Sequence, residues 1–83
     1  MKVLYFAWLR QQVGVAEEDL ALPGDVTTVG GMLEWLRGRS ARHNKALQDL
    51  SVVRVAVNQE YARVDDPVSD DDEVALFPPV TGG

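Results

Sequence analysis

A single helix-patterned segment lies in the middle of the chain, between segments patterned as strands. Four apolar residues follow the i, i+3, i+4, i+7 spacing that defines one face of a helix, namely Val29, Met32, Leu33 and Leu36. Thr28 stands directly before them, where an N-cap is expected. Because a chain of 83 residues forms at most one domain, this helix is predicted to cover a small sheet.

Strand patterns stand on both sides of that helix. Residues 2–9 are rich in β-branched and aromatic side chains and predict a first strand with two apolar faces, followed by a turn at Gly14. Further strands are predicted over residues 18–22, residues 52–57, a short segment after a turn at residues 58–59, and residues 73–77. This is an α+β layout, and it becomes a ubiquitin-like β-grasp if the first and last strands lie parallel and adjacent at the centre of a mixed sheet. We predict a β-grasp domain over residues 1–77 and an extended tail over residues 78–83.

The composition argues against several classes of function. The chain has no cysteine, which excludes a disulfide framework, thiol catalysis and cysteine-based metal sites. A net charge of −5 disfavours nucleic acid as a partner. The longest apolar runs are far below the ~20 residues that span a bilayer, and the N-terminal segment lacks a signal-peptide cleavage pattern. We therefore expect no membrane contact and a cytoplasmic location.

The acidic segment and the one histidine both predict ordinary surface features. The acidic residues between positions 65 and 73 lack the alternating ligands and central glycine of a calcium loop, so they predict a solvated turn and no metal site. His43 has no cysteine or second histidine to act with, which predicts a residue at the surface or at a helix end. No glycine-rich phosphate loop is present, so we expect this chain to bind no cofactor.

The sequence ends in FPPVTGG, which occupies residues 77–83. Pro78 and Pro79 fix φ and lack amide donors, so they stop the last strand and hold the chain extended. Gly82 and Gly83 have no side chains, and they would present an unhindered carboxylate on a thin, flexible arm. An ionised carboxylate is unreactive toward nucleophiles until it becomes a mixed anhydride, for instance with AMP from ATP. The tail is therefore predicted to be the reactive group, although an inert terminus stays open as an alternative.

Residues 57–83 closely resemble the small, sulfur-carrying subunits of molybdopterin synthases. The matching motifs are VNQ at 57–59, DEVA at 72–75 and FPPVTGG at 77–83, and YFAWLR at 5–10 places Arg10 at the position of the family's usual arginine. The chain departs from the family pattern at Asp71, where a glycine is common, and at the pair Gly30 and Gly31. Neither departure touches the tail.

The resemblance implies a β-grasp protein that is not catalytic alone. It implies that an activating enzyme uses ATP to adenylate Gly83, and that a sulfur donor then converts the carboxylate to a thiocarboxylate. The tail, with Gly82, would enter the active site of a large synthase subunit and give its sulfur to cyclic pyranopterin monophosphate, within a heterotetramer. The residues that lead to the reactive end, together with the arginine at the family's usual position, would contact partners. They are Phe77, Pro78, Pro79, Val80, Thr81 and Arg10.

Period-2 alternation in residues 73–77 points Val74 and Leu76 one way and Ala75 and Phe77 the other. The apolar outer face of the first and last strands is predicted to dock partners, with Ala75, Leu76 or Phe77 and Trp8 in contact.

Three other functions remain open at this point. A ubiquitin-like modifier would use the same activated tail to form isopeptide bonds with lysines. A sulfur carrier of another pathway, such as thiamine thiazole synthesis, is a second alternative, although such carriers look shorter and lack the Phe-Pro-Pro run. The third is a non-catalytic interaction domain whose tail is inert.

Overall fold

The computed structural model of the chain describes residues 1–79. Within this range no helix is long and apolar enough to cross a membrane. The tail residues Val80, Thr81, Gly82 and Gly83, to which the sequence assigns partner contact and reactivity, lie outside the described residues. In chain order the elements are β1 Lys2–Tyr5, α1 Ala7–Val13, β2 Glu17–Asp19, α2 Val29–Arg37, α3 Ala41–Ala46, a 3-10 turn Leu50–Val52, β3 Arg54–Val57, β4 Glu60–Ala62 and β5 Glu73–Phe77.

The strands form one mixed sheet in the order β2-β1-β5-β3-β4. The first and last strands are parallel neighbours, with Val3 opposite Val74 and Tyr5 opposite Leu76. The other pairs, β1 with β2, β3 with β5 and β3 with β4, are antiparallel. The predicted parallel pairing of the first and last strands is confirmed, and β5 has the predicted bounds.

One face of this sheet carries the core. The predicted stripe of α2 is fully buried, and it packs in a single cluster with inward residues of β1 and β5 such as Val3, Val74 and Leu76. Leu47, which follows α3, is also completely buried. The helices therefore lie on one side of the sheet, and the outward residues of the strands remain on the other side.

The first strand is shorter than the sequence predicts. It ends at Tyr5, and α1 begins two residues later, so the prediction of a strand over residues 2–9 is wrong from Phe6 onward. Ala7 has a φ of 53°, in the left-handed region, at the junction between the strand and the helix. Leu9 and Val13 are then buried at the helical i, i+4 spacing. Gly14, predicted as a turn residue, ends this helix with a φ of 95°.

The first turn of α2 is stabilised by hydrogen bonds, although its two glycines have low helix propensity. Thr28 is the N-cap, as predicted, and its hydroxyl accepts the N–H of Gly31 at 3.1 Å. The N–H of Gly30 donates to the carbonyl of Val64 at 2.7 Å, so the loop after β4 also satisfies a free donor of the first turn. A Cβ at Gly30 would lie 3.1 Å from that carbonyl oxygen, whereas a Cβ at Gly31 would lie 3.3 Å from the Thr28 hydroxyl.

Alanine substitutions at these two glycines separate two effects on stability, the gain in helix propensity and the steric contact of the added Cβ. Gly30→Ala is expected to lower the free energy of unfolding by about 1 kcal/mol, because the contact with a backbone carbonyl outweighs the gain in propensity. At Gly31 the added Cβ would lie 3.3 Å from the Thr28 hydroxyl, and a shift of a few tenths of an ångström relieves this contact while the cap hydrogen bond is kept. Gly31→Ala is therefore expected to be neutral or slightly stabilising. Urea unfolding of both variants tests this. Equal stabilisation by the two alanines would show that the loop after β4 shifts to make room for the methyl group at position 30.

The acidic segment forms exposed turns, as predicted, and side-chain hydrogen bonds order them. Asp70 accepts the N–H of Leu22 at 2.7 Å, and Asp72 accepts the N–H of Ser69 at 2.8 Å and the side-chain amide of Asn58 at 2.9 Å. These hydrogen bonds hold the pKa of both carboxyls below the usual range. Asp71 does not have a positive φ, so the turn before β5 functions without the glycine common in the family.

Candidate functional site

The uncovered side of the sheet is apolar along one row. The strand register aligns outward residues of four strands, and the outward residue at the end of β5 completes the surface. We call this surface the open face and define it by Leu4, Ala56, Tyr61, Ala75 and Phe77. Four of these residues are half-buried, whereas Tyr61 is 77% exposed. An apolar surface of this kind, left without cover, is typical of a docking site.

Two aromatic rings dominate the open face. The rings of Phe77 and Tyr61 contact each other with centroids 5.7 Å apart and planes tilted by 53°. Phe6, which is 49% exposed, stays beside the end of β5 because its N–H donates to the carbonyl of Leu76 at 3.1 Å. The most exposed aromatic surface therefore lies where β5 ends and the tail begins.

The structure places the predicted site residues in two regions. Phe77 lies on the open face, and the half-buried Pro78 and Pro79 follow it directly. Arg10 is exposed on α1, which packs on the covered side of the sheet, so the structure does not bring Arg10 onto the open face.

Two of the predicted docking residues point elsewhere. Leu76 is completely buried in the core, so the prediction that it contacts a partner is wrong. Trp8 lies on α1 and is partly buried against the core, not on β1. Sequence reasoning missed Tyr61, although alternation after the predicted turn at Asn58 and Gln59 would have placed it beside Ala56.

Apart from the open face, a polar cluster joins α3 to the edge of the sheet. His43 lies in the last turn of α3, which agrees with the predicted helix end, but it is buried and not at the surface. Its Nε2 lies 2.8 Å from Glu18 Oε1. Glu18 Oε1 also accepts the hydroxyl of Tyr5 at 2.7 Å, and the Ser40 hydroxyl lies 2.7 Å from His43 Nδ1. Ser40 caps α3 as well, which orients the histidine from its own helix start. The cluster ties three elements together.

Burial and hydrogen bonds set the protonation states of Glu18 and Tyr5 in this cluster. Burial alone would raise the pKa of Glu18, but hydrogen bonds from His43 and Tyr5 outweigh it, together with the charges of His43 and Arg39, and the pKa falls below its ordinary value. Burial is the main cause that raises the pKa of Tyr5 far above its usual range, and the hydrogen bond to Glu18 adds to it. Glu18 therefore stays ionised and Tyr5 stays protonated at neutral pH.

In residues 1–79 no three histidine or carboxylate side chains are placed to hold a metal ion. A pocket of about 430 Å³ beside the β3–β4 hairpin has Glu60, Asp66 and Asp72 in its lining. Such an acidic lining repels the phosphates of a nucleotide.

Taken together, the sheet order, the central parallel pair and the helices on one face define a ubiquitin-like β-grasp protein. The profile of the ThiS family matches residues 3–83, and the chain belongs to this family. It is 42% identical over 83 residues to the molybdopterin synthase sulfur carrier subunit of Escherichia coli (strain K12), covering 100% of this chain and 99% of that protein. The resemblance found in the sequence motifs is thereby confirmed.

Solved structures agree with the fold. The small archaeal modifier protein 1 of H. volcanii is 30% identical, with a TM-score of 0.76 over 96% of this chain and 97% of that one. A chain in the complex of subunits 1 and 2 of molybdopterin-converting factor from Helicobacter pylori 26695 has a TM-score of 0.63 at 19% identity, over 99% of this chain and 96% of that one. At that identity the second likeness shows the fold alone. The predicted fold class is confirmed.

Proposed function

We propose that this chain is the sulfur carrier subunit of a molybdopterin synthase and acts in the cytoplasm. The observation that carries the proposal is the 42% identity to the E. coli sulfur carrier subunit, which extends over the full length of both chains. The open face supports it, because it offers a docking surface at the point where the tail begins.

The proposed chemistry takes place on the carboxyl group of Gly83. An activating enzyme lets this carboxylate attack the α-phosphorus of ATP, so that pyrophosphate leaves and an acyl-adenylate forms. A donor then supplies sulfur at the oxidation level of sulfide, which attacks the acyl carbon and displaces AMP, and a thiocarboxylate remains on Gly83. ATP belongs to the activating enzyme, and we propose that this chain binds no cofactor and does not catalyse a reaction alone.

The tail then delivers the sulfur to a second protein. Gly82 and Gly83 lack side chains, so they can enter a channel that excludes water and protects the activated group. In the large subunit the thiocarboxylate sulfur attacks cyclic pyranopterin monophosphate and forms a thioester. Water then cleaves the bond between the acyl carbon and the sulfur, which returns Gly83 to a carboxylate and leaves the sulfur on the pterin, and two such transfers complete a dithiolene. We assign tail contacts to Pro78, Pro79, Val80 and Thr81, and we propose a heterotetramer with a small subunit at each end of a large-subunit dimer.

A protein modifier is the second candidate function. The observation that favours it is the likeness to the small archaeal modifier protein 1 of H. volcanii. Both functions begin with activation of Gly83, and they differ in the nucleophile that attacks the activated acyl group, which is a lysine amine for the modifier and sulfur for the carrier. Conjugates of higher mass that depend on Gly83 would support the modifier.

The mass of the C-terminal peptide tests the proposed function. Trypsin cuts after Arg63 and releases residues 64–83, which contain neither Met1 nor Met32, so methionine oxidation cannot mimic the exchange of oxygen for sulfur. We expect this exchange on Gly83 in protein incubated with its activating enzyme, ATP and the sulfur donor. The same mixture without ATP is the control. A tail that remains a carboxylate in the complete mixture would contradict the sulfur-carrier function.

A further inference from the structure

The basic residues are concentrated in two segments of an acidic chain. Residues 1–16 and 35–48 contain no Asp or Glu, and they hold two and four of the eight Lys and Arg residues, which makes six of eight. α1 lies in the first segment and α3 in the second. Neither helix contains an Asp or Glu, and together they carry Arg10, Arg42 and Lys45, so both are positively charged in a chain whose net charge is −5.

A groove of about 530 Å³ lies between α1 and α3. It is lined by Gln11 and Gln12 of α1 and by Ala41, Arg42 and Lys45 of α3. Arg42 and Lys45 are three residues apart, so both side chains lie on the same face of the helix. Within residues 1–79 neither side chain forms a salt bridge.

Arg42 is held in place before any ligand arrives. Its Nε donates to the carbonyl of Gln12 at 2.8 Å and one terminal nitrogen donates to the carbonyl of Gln11 at 3.1 Å, at the C-terminal end of α1. The guanidinium rests on Gly14, where an added Cβ would lie 2.9 Å from the Arg42 Cζ. These bonds occupy one edge of the guanidinium and leave its outer edge for a two-pronged contact with a carboxylate.

The groove also contains an unsatisfied polar group. Within the described part of the chain, the side-chain oxygen of Gln12 is buried without a hydrogen-bond partner. An acceptor in this state is costly, and a turn of the amide toward the groove would let it accept an N–H from a ligand. A peptide offers such backbone donors together with carboxylates, whereas a phosphate does not.

We propose that the α1–α3 groove binds an acidic segment of a protein partner. In this arrangement a Glu or Asp carboxylate of the partner bonds the free edge of Arg42, and a neighbouring carboxylate approaches Lys45. Nucleic acid fits less well, because the remaining surface of the chain is strongly acidic and repels a phosphate backbone. The helices lie on the side of the sheet opposite the open face, so this partner and a partner of the open face can bind together. The inference does not depend on the proposed sulfur chemistry.

Two-dimensional NMR of the isotope-labelled chain tests the groove with a short polyglutamate peptide at low salt. We expect shifts centred on the amides of Gln11, Gln12, Arg42 and Lys45. Lys45→Glu is expected to weaken polyglutamate binding about fivefold. Arg63→Glu is the matched control, because it changes the net charge equally at an exposed site outside the groove, and it is expected to change the affinity by less than about twofold.

The other outcomes would overturn the proposal. A polyglutamine peptide of equal length that binds equally well would remove the role of charge. Shifts spread over the surface, with equal loss in both variants, would show general electrostatic attraction. Stronger binding of a single-stranded oligonucleotide of equal charge to the same amides would assign the groove to nucleic acid.

Discussion

Phe77→Ala is expected to weaken binding to the large subunit by about tenfold to a hundredfold, while the fold remains intact. Phe77 points away from the core, and its ring contacts the exposed Tyr61 on the open face. A partner that covers this face buries both rings, and removing a buried aromatic anchor costs much more than removing a ring that stays in water. Calorimetric titration with the large subunit of the same organism measures the change.

The control is an exposed apolar residue away from the open face. Val64, in the loop after β4, is 64% exposed and lies beside Gly30 of α2 on the covered side of the sheet, and Val64→Ala is expected to leave the affinity unchanged. Tyr61→Ala, alone and combined with Phe77→Ala, shows whether the two rings act together, since coupled neighbours give non-additive losses. Unchanged affinity in Phe77→Ala, with a native NMR spectrum, would mean that the partner docks elsewhere and that the open face has another use.

The sequence contains enough information to predict the centre of the fold. The α2 stripe has a clean helical period, and its N-cap Thr28 occupies the expected position. β5 alternates strictly and is stopped by Pro78, so both of its faces and its end could be predicted. Local pattern and tertiary packing agree in these segments, which explains why prediction succeeds there.

The segment after β1 could not be predicted because its pattern is ambiguous. Apolar side chains continue through Phe6, Trp8 and Leu9, and such a run fits a strand with two apolar faces as well as a buried helix. The i, i+4 pair of Leu9 and Val13, followed by Gly14, is the signal that favours the helix. The packing of this segment against α3 selects the helix over the strand.

The burial of His43 depends on contacts distant in sequence. Glu18 lies 25 residues away, and nothing in the local pattern joins it to a histidine on α3. The glutamate stands in a three-residue edge strand whose alternation turns it inward, between two exposed acidic neighbours. A tertiary hydrogen bond of this kind becomes visible only when the sheet and the helices are assembled.

Glu18→Ala is expected to lower the free energy of unfolding by about 2 to 4 kcal/mol, which makes it the most destabilising change considered for this chain. The substitution leaves the Tyr5 hydroxyl and His43 Nε2 without their common acceptor in a partly buried site, and each unsatisfied donor costs about 1–3 kcal/mol. Urea unfolding at pH 7 measures the loss. The expected fall in Tm is more than about 10 °C for a domain of this size.

Glu17→Ala is the matched control for this loss, because the two glutamates are adjacent on β2 and point to opposite faces. Within residues 1–79 the one interaction of the Glu17 carboxylate is an exposed ion pair with Lys2 at 3.2 Å, so its removal is expected to have little effect. The pH dependence gives an independent test. The folded-state pKa of Glu18 lies below its ordinary value of 4.5, so its contribution is present above that pH and is lost as the pH falls through the lowered pKa. The stability difference between wild type and Glu18→Ala should therefore shrink in acid, and a difference independent of pH would mean that Glu18 acts through packing and not through its charge.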